Sequence, residues 1–171
     1  MASRRKGRIL AFQALYSWDL HYSQTGETSI PDGLFDFSWN LADGVSAGEA
    51  AEKKDSSNLD EETAAFSRLL IAGTVENISS LDSMIQKHLK NWDIRRLNKV
   101  DLAVLRMSAY SLMFQPEIPP SVVIDEAIDI SRDFGTDDSY RFVNGVLDGI
   151  LKTLSSKPVS KPGSQETSSG A

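Results

Sequence analysis

The sequence predicts an all-α protein that folds as one domain. Apolar residues recur at intervals of three and four along most of the chain, which is the spacing of one face of a helix. No stretch alternates apolar and polar residues for long enough to indicate a β-sheet. With 171 residues, of which 40% are hydrophobic and 25% charged, the chain can bury one good core and is too short for two large domains.

The first predicted helix runs from about Ser3 to about Tyr22 and is apolar on two faces. One face carries Ile9, Phe12, Tyr16 and Leu20, and the other carries Ala11, Ala14, Leu15 and Trp18. Such a helix either lies at the centre of the fold, with other helices on both sides, or keeps one face for a partner.

Basic side chains open this helix, and no acid follows them until Asp19. They are Arg4, Arg5, Lys6 and Arg8. Because the helix would hold these charges in place, they form a fixed cationic patch that suits the phosphates of a nucleic acid. The alternative is a basic N-terminus that contacts nothing. The formal net charge of the whole chain is -6, which argues against indiscriminate binding to nucleic acid or anionic membranes, so any such site must be local.

Cap signals place the next three helices. Asn58 with Glu61 three residues later resembles a capping box that opens the second helix, and Ser79 or Ser80 caps the third. Asn98 opens the fourth helix, which is apolar over most of its circumference. We expect this fourth helix to share the centre of the fold with the first.

Two more helices complete the prediction. Prolines end the fourth helix, and the fifth is expected from Ser121 to Phe134. Gly135 is expected to close it in the left-handed conformation that favours glycine. Thr136 or Asp137 then caps the sixth helix, which reaches about Leu154.

Two segments break the helical pattern. Residues 23–59 form a loop or partly ordered acidic insert, mobile over about 42–57. Five side chains in the insert are too apolar to remain in water, so we expect a short helical piece there to dock on the core. They are Leu34, Phe35, Phe37, Trp39 and Leu41. The helical domain as a whole is expected to span 1–155, followed by a polar, disordered tail over 156–171.

The sequence predicts neither an enzyme nor a cofactor. There is no cysteine, which excludes a disulfide framework, a thiolate nucleophile and zinc sites built on sulfur. The two histidines, His21 and His88, lie where a lone histidine is more often structural than catalytic. No phosphate-binding glycine loop, dinucleotide fingerprint or metal-ligand spacing is present. No signal peptide or membrane span is found, so we expect a cytoplasmic protein with no membrane partner.

The start of the sixth helix is a candidate site for RNA. On a helical wheel Phe142 lies at the margin of the apolar stripe, on the side shared with Asp138, Arg141 and Gly145. A half-exposed phenylalanine beside a cation can stack on an unpaired base while the guanidinium contacts a phosphate. The alternative is that Phe142 only seals the edge of the core.

Several segments, in this order and spacing, resemble the NusB family of transcription antitermination factors. They are RRKGR and QALYSW in residues 4–18, VDLAVLR at 100–106, VIDEAI at 123–128 and FGTDDSYRFVNGVLD at 134–148. The likeness covers about residues 3–22 and 60–154, and the last segment is the most specific.

The resemblance implies an all-helical fold of two small bundles packed against each other. It also implies an adaptor that binds single-stranded boxA RNA together with the small-subunit ribosomal protein that serves as NusE. With RNA polymerase and other Nus factors, such a protein suppresses premature termination, notably during ribosomal RNA synthesis.

The resemblance also implies roles for particular residues. RNA contacts are expected from Arg4, Arg5, Lys6, Arg8, Asp138, Arg141 and Phe142. Tyr16 and Asp101 match positions that face the ribosomal protein. Gly7 departs from the pattern and is expected to loosen the first turn.

Two alternatives remain open at this point. Similar helical domains precede RNA methyltransferases, although this chain shows no nucleotide-binding α/β pattern. A purely structural module could instead pair with itself as a homodimer through the exposed face of the first helix.

Overall fold

A computed structural model describes residues 3–37, 39 and 59–156 of the chain. The six helices are α1 (Arg4–Thr25), α2 (Glu61–Glu76), α3 (Ile78–Lys87), α4 (Lys99–Phe114), α5 (Pro120–Phe134) and α6 (Ser139–Ser156). Short 3-10 turns occupy Asp32–Leu34 and Ile94–Arg96. The described residues contain no strand, which confirms the all-α prediction.

Helix α4 is the centre of the fold. It packs against each of the other five helices, and every residue from 101 to 111 is buried. Helices α1 and α2 pack together, as do α5 and α6, and each pair packs on α4. This arrangement confirms the two small bundles and the central position predicted for α4.

The two faces of α1 have different surroundings. The face with Trp18 is buried, and Trp18 is only 1% exposed. On the other face Phe12 is buried, whereas Tyr16 and Leu20 are 37% and 46% exposed. Helix α1 therefore lies inside the fold along its first half and leaves the second half of one face open. That a partner covers this open face stays a prediction.

A buried ion network ties three helices together. Arg106 of α4 donates to Asp19 of α1, and its Nε and Nη2 donate to the carboxylate of Asp82 in α3 at 2.8 and 2.9 Å. Lys99 adds a contact to Asp19 at 2.8 Å. Burial alone would raise the pKa of Asp19, but the hydrogen bonds from Lys99 and Arg106 hold it below its usual range.

Three of the predicted helix starts are wrong by a few residues. Asp60, not Asn58, caps α2, because its carboxylate accepts from the backbone N–H of Thr63 at 3.0 Å. Asn58 itself lies outside the described residues. Helix α3 begins directly after Asn77, ahead of the serines expected to cap it. Helix α6 begins at Ser139, whose Oγ accepts from a backbone N–H of the turn before it.

The cap predicted for α4 is confirmed, and the conformation predicted for Gly135 is wrong. Asn98 accepts from the backbone N–H of Val100 at 2.8 Å. Gly135 has φ -90° and ψ -169°, an extended conformation that any residue can adopt. Glycine fits here for another reason, since a Cβ would lie 2.6 Å from the carbonyl oxygen of Ser131 and from Ser139. The position of Gly135 is therefore too crowded for a side chain.

The first part of the insert docks on the core as predicted. Four of the five apolar side chains, Leu34, Phe35, Phe37 and Trp39, pack against the core around a 3-10 turn. Arg68 of α2 fixes this piece by donating to the carbonyl oxygen of Phe35 at 3.1 Å. Leu41, the segment 42–57 and the tail from 157 onward lie outside the described residues.

The described ranges contain neither a membrane-spanning helix nor a metal-binding cluster. None of their helices has an apolar stretch long enough to cross a lipid bilayer. No group of three or more acidic or histidine side chains is gathered there in a way that could hold a metal ion.

Candidate nucleic-acid interface

The basic first turn of α1 is fixed firmly to α2. Ser3 caps the helix by accepting from the backbone N–H of Lys6, and its own N–H donates to the hydroxyl of Thr63 at 3.0 Å. Ser67 donates to the carbonyl oxygen of Gly7 at 2.9 Å. A Cβ on Gly7 would lie 2.6 Å from the ring of Phe66. Gly7 therefore allows a close approach of two helices, and the expectation that it loosens this turn is wrong.

The four cations of this turn have different surroundings. Arg4 and Arg8 lie over the ring of Phe66, at 4.4 and 5.3 Å from its centre. Arg8 is only 6% exposed, and burial lowers its pKa while Glu126 opposes that shift. Arg4, Arg5 and Lys6 are exposed, so these three offer the more accessible charges to a phosphate.

Arg5 links the basic turn to the end of α5. Its guanidinium lies 3.4 Å from the carboxylate of Asp129 and 4.0 Å from that of Asp133. All three side chains are more than a third exposed, so these ion pairs contribute little to stability. Arg5 can therefore leave the carboxylates and bind another anion. A phosphate that binds Arg5 competes with two carboxylates.

The start of α6 presents two half-buried rings, Tyr140 and Phe142, and the exposed cation Arg141. Phe142 is half-buried and packs against the core, so part of its ring is accessible. Asp138 and Arg141 are exposed. Tyr140 lies between two guanidinium groups, with Arg132 at 4.6 Å and Arg141 at 5.4 Å from its ring centre.

The structure brings the two candidate regions to the same junction without a direct bond between them. Arg5 contacts the last turns of α5, and the ring of Phe12 lies 5.1 Å from that of Phe134, the last residue of α5. Five residues later α6 begins. Within the described part of the chain, no hydrogen bond or ion pair joins the basic turn to Asp138, Arg141 or Phe142. The connection runs through the end of α5.

A groove lined by uncharged side chains, both apolar and polar, lies beside this junction. It has a volume of about 450 Å³ and is lined by side chains from α1, α4 and α5 and from the docked insert. They include Phe12, Tyr16, Trp39, Val100 and Phe134. The sequence assigned only Tyr16 of these to the ribosomal protein, with Phe12 on the same predicted face. Trp39, Val100 and Phe134 come from separate segments whose proximity no local pattern reveals.

Asp101 is more enclosed than a partner-facing residue would be expected to be. It is 8% exposed, and its Oδ1 has no hydrogen-bond partner among the described residues. Burial raises its pKa, and a hydrogen bond with Ser139 opposes this shift only in part. Asp101 directly follows Val100, which lines the groove, but its own Oδ1 is buried.

Comparisons with known proteins agree on one family. The NusB family model matches residues 5–152. The chain is 48% identical to the transcription antitermination protein NusB of Treponema denticola over 147 residues, which cover 86% of this chain and 94% of that protein.

Solved structures give the same result. A NusB structure from T. maritima has a TM-score of 0.68 and 33% sequence identity, covering 89% of this chain and 93% of that one. A structure of antitermination factors NusB and NusE in complex with double-stranded RNA also has a TM-score of 0.68, with 28% identity, covering 88% of this chain and 96% of that one. The family model, the curated relative and the solved structures each cover most of this helical chain, and the chain belongs to the NusB family.

Proposed function

We propose that this protein is an RNA-binding transcription antitermination factor that binds boxA-type RNA together with the ribosomal protein NusE. With other Nus factors it would help RNA polymerase avoid premature termination, notably on ribosomal RNA operons. The proposal assigns it no enzymatic activity, and its work on nascent transcripts places it in the cytoplasm. The observation that supports it most is the contact of the exposed basic turn of α1 with the last turns of α5, a helix that ends eight residues before the half-buried Phe142.

The proposed RNA path runs from α1 across the junction to α6. Arg4, Arg5 and Lys6 would contact phosphates, with Arg8 held beneath them against Phe66. Phe142 would stack on an unpaired base, with Asp138 and Arg141 at its sides. The related NusB and NusE structure contains double-stranded RNA, so single-stranded and double-stranded forms of one sequence should be titrated side by side.

The second proposed surface is the uncharged groove lined by Tyr16, with Asp101 next in sequence to Val100 of its lining. The basic turn of α1 and the start of α6 present few cations to RNA, so this protein alone should bind RNA weakly at physiological salt. A ribosomal protein seated in the groove would add its own RNA contacts and raise the effective affinity by linkage. The matched relatives are antitermination proteins, so a methyltransferase module is not proposed.

The open part of α1 also keeps the homodimer as a second candidate. Leu20 and Tyr16 are exposed together on one face, which is the surface a second copy would cover. Light scattering at several concentrations, with and without RNA, distinguishes the self-associating homodimer from the RNA-binding adaptor. A mass that doubles with concentration and falls when NusE is added would mean that the copies compete with the ribosomal protein for this face.

Changing Arg4 and Arg5 together to alanine should weaken RNA binding and flatten its dependence on salt. Each lost phosphate contact lowers the slope of log affinity against log salt by about 0.7 for a single strand, so the slope should fall by up to about 1.4. Binding is measured by fluorescence anisotropy over a series of salt concentrations. Lys152→Ala is the matched control, since Lys152 is an exposed cation at the far end of α6. An unchanged slope would remove phosphate contact as the role of the two arginines.

Asp101→Asn should stabilise the fold slightly at neutral pH and weaken binding to NusE. Burial raises the pKa of Asp101, so the protonated form contributes stability at low pH that is lost as pH rises through the folded-state pKa. Asparagine avoids that loss of stability. Because the dipole of α4 favours a negative charge at this position, we expect the free energy of unfolding to rise by less than about 1 kcal/mol. The gain should vanish in acid, where wild-type Asp101 is protonated.

The affinity for NusE should fall about tenfold in the same variant, because a hydrogen bond to a charged acceptor is replaced by one to a neutral acceptor. Calorimetry with the purified ribosomal protein measures this, and Asp125→Asn on the exposed face of α5 is the control. Unchanged NusE affinity together with the stability gain would make Asp101 a structural residue only.

A further inference from the structure

We propose that the RNA-binding surface continues along α6 onto the connection between α3 and α4, residues 88–98, where Trp92 forms a second stacking surface for unpaired bases. This inference rests on the proposed function and extends it to nucleotides beyond those held by the basic turn and Phe142. Its ligand is single-stranded RNA that flanks the boxA-like core.

Trp92 is unusually exposed. Its side chain is 59% exposed, more than any other large apolar side chain among the described residues. The other two tryptophans are enclosed by the fold, since Trp18 is buried and Trp39 is half-buried. Trp92 differs from both because its indole faces water. An aromatic ring left open on a surface is a stacking platform of the kind that binds bases without regard to their sequence.

The backbone around Trp92 is held in place by one side chain. Gln86 of α3 donates to the carbonyl oxygen of Trp92 at 2.8 Å and accepts from the N–H of Ile94 at 2.9 Å. Asn91, just before the tryptophan, has φ +63°, the left-handed conformation that asparagine tolerates better than most residues. The indole is therefore presented from an ordered turn, which reduces the entropy cost of binding.

The connection is surrounded by positive charge. Lys87, Lys90, Arg95 and Arg96 are all exposed within ten residues. The only acid among them, Asp93, is held by Arg95 at 2.7 Å. Lys87, Lys90 and Arg96 form no ion pair within the described part of the chain. On a chain with a formal net charge of -6, such a local excess of cations favours a polyanion.

The connection lies on the same side of α6 as Phe142. At its start, His88 is 3.0 Å from the hydroxyl of Thr153, and a Cβ on Gly149 would lie 2.7 Å from the His88 ring. With 3.6 residues per turn, positions 149 and 153 each fall within about 20° of position 142 on the helix surface, on opposite sides of it. Just past the other end of the connection, Asp101 hydrogen-bonds Ser139 in the first turn of α6. The connection thus starts against the face of α6 that carries Phe142 and leads to a helix start that contacts the first turn of α6.

The positive charge around Trp92 favours RNA over a protein as the partner of this surface. The groove proposed for NusE lies around Tyr16 and is lined by uncharged side chains, whereas the surface at Trp92 combines one ring with three cations that form no ion pair among the described residues. Base stacking together with phosphate contact is the combination that single-stranded RNA sites use.

The test compares two RNAs that share one boxA-like core. The short RNA is the core alone, and the long RNA carries unpaired nucleotides on both sides. Trp92→Ala should weaken binding of the long RNA by about 5- to 150-fold, the range expected for loss of one stacked base, and leave the short RNA unchanged. Trp92→Phe should recover most of the affinity, and Leu69→Ala removes an equally exposed apolar side chain from α2 as the control.

A second variant tests the same surface without touching the indole. Lys90→Ala with Arg96→Ala should lower the salt slope for the long RNA by up to about 1.4 and leave that for the short RNA unchanged. If Trp92→Ala and this double variant bind both RNAs like the wild type, the inference is wrong while the proposed function stands. Equal loss on both RNAs, or loss of NusE binding with RNA affinity intact, also overturns it. If the wild type binds neither RNA with NusE present, the proposed function itself fails.

Discussion

Arg106→Ala should lower the free energy of unfolding by about 3–5 kcal/mol, the cost of removing one partner from a buried ion pair. Arg106 is 5% exposed and is the common partner of Asp19 and Asp82. Without it the carboxylate of Asp19, 3% exposed, keeps only Lys99 as a charge partner. Because these residues join α1, α3 and α4, the loss should affect the whole fold. Urea unfolding followed by circular dichroism measures it.

The matched control is Arg95→Ala. Arg95 also forms an ion pair, with Asp93 at 2.7 Å, but its side chain is 86% exposed. Water and salt screen such a pair, so its removal should barely change stability. If Arg106→Ala destabilised the protein no more than Arg95→Ala, the buried network would not hold the helices together.

Phe142→Leu should weaken RNA binding by about 1–3 kcal/mol, the usual contribution of one base stacked on an aromatic side chain. Leucine keeps an apolar side chain in the half-buried position, so the thermal unfolding midpoint should change little. Phe142→Tyr keeps the flat ring and should bind RNA almost as the wild type does. Anisotropy titrations with a labelled boxA-like RNA, with and without NusE, give the affinities.

This set of variants separates stacking from packing. If Phe142→Leu binds RNA normally and only Phe142→Ala loses stability, the ring seals the core edge and does nothing more. That was the alternative left open by the sequence, and half-burial of the ring is compatible with both roles.

The helices were predictable because their signals are local. Apolar spacing depends on neighbours three and four residues away, and it identified all six helices and the central position of α4. The cap at Asn98 was found because a single good candidate stands before that helix. Ahead of α2, Asn58 and Asp60 both qualify, and only the contact with Thr63 decides for Asp60.

The missed features depend on residues that are distant in the chain. Arg106 and Asp19 are 87 positions apart in the sequence, and no residue near either of them indicates that they form a hydrogen bond. The burial of Arg8 and Asp101 likewise follows from helix packing. Gly135 was placed in the wrong conformation because crowding by Ser139, not a left-handed turn, excludes a side chain there.

The candidate site was predictable in part for the same reason. The basic turn and the ring of Phe142 were each visible in a short stretch of sequence. The pairing of Arg5 with Asp129 and Asp133, which brings the turn to the end of α5, was not. Trp92 could have been noticed as an aromatic residue among cations, but its exposure follows only from the fold.

Mapping of backbone amide shifts on addition of boxA-like RNA tests the central claim most directly, since it reports every contact region in one titration. The account predicts that the changes cluster in residues 3–8 and 138–142, and that Phe142→Leu removes the second cluster while leaving the first. Changes confined to α2 and α3, with neither cluster affected, would contradict it.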